Sequence, residues 1–343
     1  MTVTIKDIAK VAGVSHTTVS RALHSSPEIS VKTASRIRQI AAQLGYVPNS
    51  VARGLKTNRS RVLGVIVRRI VDPYISELLQ GIEEVLRAEG YSLFLAASQR
   101  DPELEKKIAQ AMSERRVDGA IICSTEVSEE HRRQLERFGV PTVLINNQAA
   151  DDGTYSVYHD DIFGSQEMTR HLIALGHRRI AYLGNAHAGR LTAFRLQGYT
   201  QAMSAAGLPV LPELVVEAPN GLPQGGAIGA QSLLELAEPP TAIFCYNDMI
   251  AIGAIQALQG AGLRIPSDCS VAGFDNIDLA AYVTPPLTTF DQPKLELGRQ
   301  AAQMMLRLLA KGGQAEAASD TDPNVVVLRG KICVRRSTAP PPN

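Results

Sequence analysis

Apolar residues near the start of the chain recur every three or four positions, which is the period of an amphipathic helix. Ile5, Ile8 and Ala12 form the first such stripe, and Gly13 follows as a residue that readily takes the positive φ of a helix end. Two further stripes of the same period follow before residue 46. This part of the chain is therefore predicted to form three short helices, the first two joined by a tight turn.

Beyond residue 61 the pattern changes to short apolar runs that alternate with helical stripes. Strand-like runs occur at residues 62–67, 91–96, 119–123, 141–145, 179–183, 214–217, 241–246 and 270–274. Runs of this length, separated by helices, are typical of parallel strands buried on both faces. The larger part of the chain is therefore predicted to be a doubly wound parallel α/β core, in two lobes that form a hinged shell.

The charge of the chain is unevenly distributed, although its formal net charge is only +1. Residues 1–61 contain ten of the 35 Lys and Arg residues but only two of the 34 acidic residues, Asp7 and Glu28. This head is thus net +8 and the remainder net −7. A basic head of this kind favours a polyanionic partner such as nucleic acid.

The second predicted helix has the surface expected of a helix that reads DNA. Ser15 is placed to cap its first turn. Its apolar residues can face inward, which leaves His16, Thr17, Ser20 and Arg21 on the outer face. Short polar and cationic side chains suit base edges and phosphates, and in a helix-turn-helix the second helix enters the major groove. From these residues alone, a small helical hairpin with a solvated polar face remains the alternative.

Five motifs carry a more specific resemblance. They are Thr4-Ile-Lys-Asp-Ile-Ala9, Gly13-Val-Ser15, Thr18-Val-Ser-Arg21, Gly45-Tyr-Val-Pro-Asn49 and Val51-Ala-Arg-Gly-Leu55. Together they resemble the LacI/GalR (lactose-repressor) family of bacterial transcription regulators, and the resemblance continues over essentially the whole chain. It implies a helix-turn-helix DNA-binding head on a core like that of the periplasmic binding proteins. The DNA-binding set that it implies is Thr4, Ser15, His16, Thr17, Thr18, Ser20, Arg21, Asn49, Ala52, Arg53 and Leu55.

The connector after the head is predicted to form only a weak helix. Asn49 is a plausible cap, but Gly54 costs so short a helix about 1 kcal/mol relative to Ala. The resemblance implies that this segment folds as a paired hinge helix on DNA and that Leu55 wedges into the minor groove, where such wedges bend the duplex. Without the resemblance, Leu55 would be an apolar linker residue docked on the core.

The chain is predicted to divide into three parts. Residues 1–46 form the helix-turn-helix domain, 47–61 the hinge, and 62–343 the effector-binding and dimerisation core. The resemblance implies three crossings between the lobes, with lobe 1 at about 62–160 and 292–321 and lobe 2 at about 161–291 and 322–340. On this division the helix near Pro293 returns to lobe 1, and residues 325–335 return to lobe 2.

The carboxyl ends of the strands are the expected place for a ligand in an open α/β sheet. Amides, carboxylates and arginines occur there, and such groups suit the hydroxyls of a neutral polyol, which both donate and accept. By resemblance, the candidate effector-binding residues are Tyr74, Asn147, Arg195, Asn247, Asp275 and Gln292. Local structural roles are the alternatives: a helix cap for Asn247, a turn cap for Asp275, and an ion pair for Arg195.

Three features limit how far the family pattern carries over to this chain. Ile75 follows Tyr74 where purine-responsive members have a second aromatic residue, which weakens the case for a stacked nucleobase. Asn146 and Asn147 replace the usual acidic or acidic-basic pair, so one hydroxyl contact is expected to differ. His16 and Thr17 occupy positions that vary with the operator, so the operator sequence does not carry over.

Catalysis and cofactor binding find no support in the sequence. It contains no phosphate-binding glycine loop, no Cys/His spacing suited to zinc, and no nucleophile elbow. Its four scattered cysteines are expected to be buried free thiols. Neither a signal segment nor a run able to span a membrane is visible, so a cytoplasmic location is expected.

The sequence therefore predicts a DNA-binding transcriptional regulator, expected to be a repressor of a carbohydrate-utilisation operon. A small sugar between the lobes is expected to control it, and a homodimer to read a pseudo-palindromic operator. No leucine heptads follow residue 312, so the tetramerising coiled coil of some relatives is not expected. The alternatives are a periplasmic-type sugar-binding protein, an α/β enzyme, and a regulator that responds to a non-sugar metabolite.

Overall fold

A computed structural model describes residues 3–24, 26–46, 59–99, 101–123, 139–148, 154–312 and 324–342. The chain divides into two compact units, Met1–Ser60 and Arg61–Asn343. We refer to the first unit as the head and to the second as the core.

The described residues of the head, which end at residue 46 before resuming at residue 59, form three helices, as the apolar spacing predicts. They are α1 (Ile5–Ala12), α2 (His16–Leu23) and α3 (Val31–Gln43). The Asp7 carboxylate accepts from the Thr4 N–H at 2.8 Å, and Gly13 ends α1 with a φ of 65°. The Ser15 hydroxyl accepts from the Thr18 N–H at 3.1 Å and so caps α2.

The head has its own small apolar centre. Ile8, Val19, Ala22 and Ile37 are buried and contribute to it from all three helices. An arginine side chain of α3 also satisfies a carbonyl group at the end of another helix. Arg36 donates to the carbonyl oxygen of Ala12, the last residue of α1, at 3.3 Å. The helix-turn-helix therefore has a packed core as well as its local caps.

The core contains two six-stranded sheets, each covered by helices. Lobe 1 contains β1 (Val62–Val67), α4 (Pro73–Ala88), β2 (Ser92–Ala97), α5 (Pro102–Glu114), β3 (Gly119–Cys123), β4 (Thr142–Ile145) and β5 (Tyr155–His159). Lobe 2 contains α6 (Asp161–Ala174), β6 (Ile180–Asn185), α7 (Arg190–Ala205), β7 (Val215–Ala218), α8 (Pro223–Leu234), β8 (Ala242–Cys245), α9 (Asp248–Gly260), β9 (Ser270–Asp275) and β10 (Thr288–Asp291). The chain closes with α10 (Lys294–Ala310), β11 (Val325–Leu328) and β12 (Lys331–Cys333).

The order of the strands defines the two lobes. The first sheet runs β11-β5-β4-β3-β1-β2 and the second β12-β10-β9-β8-β6-β7. All the pairings are parallel except that of β10 with β12. This architecture confirms the predicted doubly wound core, although the apolar pattern missed β5 and β10, which lie beside the crossovers.

The last crossovers differ in part from the prediction. As predicted, α10 returns to lobe 1, where Leu297 and Met305 belong to the same apolar cluster as Leu63 of β1. Residues 325–335, however, do not all belong to lobe 2. Val325–Leu328 pairs with β5 in the first sheet, and only Lys331–Cys333 pairs with β10 in the second. The prediction that residues 322–340 belong to lobe 2 is therefore wrong for β11. The sheet that an edge strand joins depends on partners far away in the sequence, and the local apolar pattern does not specify them.

All four cysteines are free; three are buried and Cys333 is partly exposed. Within the described ranges, no helix is long and apolar enough to cross a membrane. No group of His, Cys, Asp and Glu in those same ranges is arranged to hold a metal ion.

Helices α8 and α9 pack so closely that only glycine fits at their contact. A Cβ added at Gly253 would lie 1.8 Å from the Pro223 carbonyl oxygen, and one at Gly226 would lie 2.0 Å from that of Ile250. This contact holds together two helices that both begin at the carboxyl edge of the second sheet. The position of those helix starts therefore depends on it.

We predict that Gly253→Ala destabilises the core by about 1–3 kcal/mol or more, because the two helix backbones must separate. Gly260→Ala is the matched control in the same helix, since a Cβ there meets nothing within 4 Å. The control should be neutral or stabilising by up to about 1 kcal/mol. Urea unfolding followed by circular dichroism measures both; equal midpoints for the two variants would contradict the packing argument.

Candidate functional site

The outer face of α2 carries the residues predicted to contact DNA. Ser15, His16, Thr17 and Arg21 are exposed, and Thr18 and Ser20 are partly exposed. Because Val19 and Ala22 of the same helix are buried, this face is fixed in its orientation. The arrangement agrees with the predicted reading surface.

Arg21 has a partner within the head. Its guanidinium lies 2.6 Å from the Glu28 carboxylate, and both side chains are more than half exposed. An ion pair this exposed contributes little to stability and can be exchanged. Arg21 is therefore available to a phosphate or a guanine that displaces Glu28.

The predicted hinge residues Asn49, Ala52, Arg53 and Leu55 lie outside the described residues. The hinge helix and the minor-groove wedge stay predictions. Thr4, the remaining residue of the predicted DNA-binding set, is exposed at the start of α1.

A cleft of about 1100 Å³, partly open to solvent, lies at the carboxyl ends of β1, β6, β8 and β9. Its polar lining includes Arg68, Asp72, Tyr74, Asn146, Arg195, Asn247 and Asp275. Its apolar lining is largely aliphatic and includes Val71, Ile75, Leu191, Leu222 and Met249. Residues of both lobes thus meet in one cavity, as expected for a ligand between two α/β lobes.

Arg195 occupies the floor of the cleft and is only 3% exposed. Its Nε donates to Asp161 at 2.6 Å, and its Nη1 lies 3.6 Å from Asp275. The guanidinium also lies 4.3 Å from the ring centroid of Tyr246 and 4.0 Å from that of Phe274. Burial alone would lower the pKa of Arg195, but Asp161, Tyr246 and Asp275 together outweigh burial, so the net shift is upward and the group remains a cation.

A chain of hydrogen bonds crosses the floor from lobe 1 to Asp275. The Asn146 amide donates to the Tyr74 hydroxyl at 3.0 Å, and that hydroxyl donates to Gln292 at 3.3 Å. Gln292 in turn donates to the Asp275 carboxylate at 2.6 Å. Burial raises the pKa of Tyr74 and that of Asp275, and Arg195 opposes the shift at Asp275. The network fixes the orientation of the side chains before any ligand arrives.

Asp275 is held from behind by a buried lysine. It ends β9 with a φ of 113°, and Lys294 Nζ donates to its carbonyl oxygen at 2.6 Å and to that of Asn276 at 3.1 Å. The same ammonium lies 3.2 Å from the Glu77 carboxylate of α4. Lys294 therefore joins the Asp275 turn of lobe 2 to a helix of lobe 1.

Four of the six predicted effector residues line the cleft: Tyr74, Arg195, Asn247 and Asp275. Asn247 also caps α9, accepting from the Ile250 N–H at 2.8 Å, and Arg195 also pairs with Asp275, although both belong to lobe 2 and the predicted pair was one across the lobes. Asn247, Arg195 and Asp275 therefore have local structural roles and also line the cleft. Gln292 lies behind Asp275, only 2% exposed.

Asn147 is the prediction that the geometry does not favour. The cleft-lining residue of this pair is Asn146, which takes a φ of 64°. The described contact of Asn147 is a backbone one, since its carbonyl oxygen accepts from Ser156 at 2.7 Å. A left-handed residue at the end of β4 reverses which side chain faces the cleft, and alternation along the strand does not predict this reversal.

The sequence also missed Asp161, the carboxylate closest to the Arg195 guanidinium. The apolar spacing of the sequence predicts a helix from about residue 164 to residue 175, whereas α6 begins at Asp161, directly after its cap Asp160. Two adjacent acids at a helix start are a capping signal, and that signal could have placed Asp161 in the first turn.

A second buried carboxylate, Asp248, ties the first turn of α9 to neighbouring segments. It accepts from the Thr289 hydroxyl at 2.5 Å and from the Ile277 N–H at 2.9 Å. Burial, only partly offset by these hydrogen bonds, raises its pKa to about 7. The ionised form of Asp248 is thus disfavoured in the folded core.

The fold and the two sites define a class of protein: a ligand-binding two-lobed core that carries a basic helix-turn-helix head. Residues 4–49 match the family described as bacterial regulatory proteins, lacI family, and residues 169–338 match the periplasmic binding protein-like domain. The HTH-type transcriptional repressor PurR of Haemophilus influenzae (strain PittEE) is 35% identical over 327 residues, covering 94% of this chain and 97% of that protein.

Solved structures agree with this similarity. The lac repressor dimer bound to operator and the anti-inducer ONPF has a TM-score of 0.86 at 26% identity, covering 99% of this chain and 100% of that chain. A LacI family transcriptional regulator from Enterococcus faecium with bound ribose has a TM-score of 0.71 at 30% identity, covering 81% and 99%. The chain belongs to the LacI family of DNA-binding transcriptional repressors, and not to a family of enzymes.

We predict that Asp248→Asn flattens the pH dependence of core stability between about pH 4 and pH 7. Because folding raises the pKa of Asp248 from 3.8 to about 7, its stabilising contribution is complete below about pH 4 and is lost as the pH rises to about 7. The loss is roughly 4 kcal/mol at most. Urea unfolding at pH 4.5, 6 and 7.5 measures it, with the exposed Asp278→Asn as control; parallel profiles for wild type and Asp248→Asn would rule the effect out.

Proposed function

We propose that the protein is a sequence-specific repressor of a carbohydrate-utilisation operon, controlled by a small sugar or sugar derivative bound between the lobes of the core. It acts as a homodimer on a pseudo-palindromic operator, in the cytoplasm where chromosomal DNA is accessible. Symmetric dimers of helix-turn-helix proteins place two recognition helices about 34 Å apart on the duplex.

The outer face of α2 supports the DNA-reading role. His16 and Thr17, in the first turn of the helix, are both exposed. The N-terminal residues of a recognition helix are the ones nearest the base edges. Arg21, one turn further on, is the candidate for a guanine or phosphate contact.

The observation that carries the sugar assignment is the pairing of a fixed donor with a fixed acceptor on the cleft floor. Arg195 can donate to a ligand oxygen while Asp275 accepts from a ligand hydroxyl, and a sugar presents both groups. Asn146 adds a buried carbonyl oxygen, Oδ1, with no hydrogen-bond partner in the described part of the chain. The bound ribose of the Enterococcus faecium relative is consistent with this chemistry.

A nucleobase effector is the alternative that the cleft supports less well. Stacking requires open aromatic faces, but the apolar lining is mainly aliphatic, with Ile75 and Leu222 among its members. The Arg195 guanidinium already lies over the Tyr246 ring, with its Cζ 4.3 Å from the ring centroid. The walls therefore favour a ligand without an extended aromatic ring.

Lys294 offers a route by which the effector controls the distance between the lobes. Lys294 contacts both the carbonyl oxygen of Asp275 and the Glu77 carboxylate of α4. A ligand that shifts Asp275 therefore also shifts a helix of lobe 1. A change in the angle between the lobes then alters the dimer surface that supports the hinge segments. A coupling of about 1–3 kcal/mol is enough to change operator occupancy many-fold.

We predict that selection from random DNA with the full chain enriches a pseudo-palindrome, and that exchanging His16 and Thr17 changes the enriched sequence. Arg21→Ala should weaken binding by about 1–3 kcal/mol if Arg21 contacts a base, or reduce the salt slope by about 1 if it contacts a phosphate. Fluorescence anisotropy over a salt series measures both.

Glu28→Gln is the control for Arg21. It removes the same ion pair but leaves the arginine, so DNA binding should be unchanged or tighter. Failure to enrich any sequence would contradict the operator-binding proposal, and equal losses in both variants would assign Arg21 a structural role.

We predict that Asp275→Asn weakens sugar binding roughly 10- to 100-fold, because an amide N–H replaces one acceptor oxygen, and a ligand hydroxyl left without its partner costs about 1–3 kcal/mol. The exposed Asp278→Asn makes the same chemical change three residues further on and should leave binding intact. Calorimetric titration with the sugar that gives the largest thermal shift is the measurement. Unchanged affinity in a folded Asp275→Asn protein would exclude Asp275 from the contact.

A further inference from the structure

The buried ion pair between Arg195 and Asp161 is made through one oxygen of the carboxylate. Among the described residues, a single hydrogen bond joins the pair, in which Arg195 Nε donates to Asp161 Oδ1 at 2.6 Å. A guanidinium and a carboxylate frequently form two parallel hydrogen bonds, one through Nε and one through the Nη on the same edge. The pair on the cleft floor thus leaves half of this fork unused.

An exposed pair elsewhere in the core shows the complete fork. In the loop after α9, Arg264 donates to Asp268 through Nε at 3.0 Å and through Nη2 at 2.8 Å. This fork forms although the Arg264 side chain is 78% exposed, so that water competes for its donors. Burial should favour the fork more strongly at Arg195, because an unused donor in a buried site is costly. The missing half of the Arg195 fork therefore requires a competing group.

That competing group is the side-chain amide of Gln148. Its Nε2 donates to Asp161 Oδ2 and, at 3.0 Å, to the carbonyl oxygen of His159. Both partners can only accept, so the two amide hydrogens point to them and the orientation of the amide is fixed. Gln148 follows β4 in lobe 1, whereas Asp161 and Arg195 belong to helices of lobe 2. A side chain of lobe 1 therefore sets the rotation of the carboxylate that holds Arg195.

This rotation determines which donors of Arg195 remain for a ligand. Nη1 donates to the Tyr246 carbonyl oxygen and lies 3.6 Å from Asp275 Oδ1. Nη2 donates to no group in the part of the chain that the structure describes, and the side chain of Arg195 lines the cleft. A rotation of Asp161 Oδ2 toward Nη2 would close the fork and occupy this donor.

We propose that Gln148 is a positioning residue of the effector site, which holds Asp161 so that Arg195 Nη2 stays open to an oxygen of the ligand. This inference rests on the proposed control by a small sugar and adds a residue that acts from outside the cleft lining. Because Gln148 lies in lobe 1, its hold on Asp161 depends on the angle between the lobes. An effector that binds Nη2 then favours the arrangement in which Gln148 reaches Asp161, which links binding to that angle.

Gln148→Met tests the hold on Asp161, since methionine is similar in size and shape to glutamine but cannot donate. Crystal structures of the ligand-free wild type and of this variant are compared. In the variant, Asp161 Oδ2 should turn to about 3 Å from Arg195 Nη2 and form the fork seen at Arg264. This readout requires no ligand. An Asp161 carboxylate that keeps its wild-type rotation would overturn the inference.

Calorimetric titration of the full chain tests the consequence for binding. The probes are glucose, galactose and ribose, each with its monodeoxy analogues. In the wild type, removing the sugar oxygen that accepts from Nη2 should weaken binding roughly tenfold. In Gln148→Met the parent sugar should already bind roughly tenfold more weakly, and the same deoxy analogue should lose no further affinity. A merely structural role for Gln148 would instead weaken the parent and every analogue by the same factor.

Gln110→Met is the matched control. Gln110 on α5 also donates from its amide to a carboxylate, that of Glu114 at 2.9 Å, but it is exposed and lies outside the cleft lining. This variant should keep the affinity for the parent sugar and every deoxy penalty of the wild type. Gln148→Glu is the second test variant. It keeps the shape of the side chain but replaces the amide donors with acceptors, so it should also release Asp161 toward Arg195.

The outcomes separate the positioning role from the sugar proposal. If no probe binds the wild type while Asp161 closes the fork in Gln148→Met, the sugar effector fails and the hold of Gln148 on Asp161 stands. If sugars bind and the wild-type deoxy penalties persist in both folded Gln148 variants, the sugar effector survives and the positioning role is overturned.

Discussion

The guanidinium of Arg195 has lost nearly all its water, and the floor of the cleft is built from the groups that replace it. Asp161 comes from the first turn of α6, Asp275 from the end of β9, and two aromatic rings stack against the cation. An unpaired buried cation would cost several kcal/mol, so these elements are constrained to meet. The position of the ligand donors and acceptors follows from this requirement.

A second buried cation extends the constraint to lobe 1. Lys294 is 1% exposed, and its ammonium is satisfied by backbone oxygens of lobe 2 and by Glu77 of lobe 1. The hydrogen bonds from Asn146 through Tyr74 and Gln292 make a parallel connection to Asp275. Both connections end at the same turn, which makes Asp275 the point where the proposed ligand contact and the geometry of the lobes meet.

Periodicity predicted the three head helices and the alternation of the core, because amphipathic stripes and buried runs are local signals. It failed where distant partners decide. Val325–Leu328 and Lys331–Cys333 are separated by two residues yet join different sheets, and nothing in either segment specifies its neighbour. The cleft shows the same limit. The family resemblance identified Arg195 and Asp275, but the alternation of side chains along β4 does not predict that Asn146, with its left-handed backbone, faces the cleft in place of Asn147. Asp161 was missed because the start of its helix was predicted three residues too late.

The ion pair between Arg21 and Glu28 gives the head a built-in counterion. When a duplex approaches, part of the charge on its backbone must compete with a carboxylate that is already in place. In the proposed contact between Arg21 and DNA, the cost of displacing Glu28 reduces the electrostatic gain, and a correctly placed guanine offers hydrogen bonds that a phosphate does not. Glu28 thus neutralises part of the +8 charge of the head before any nucleic acid binds, so the net charge of the head overstates the positive charge that Arg21 presents.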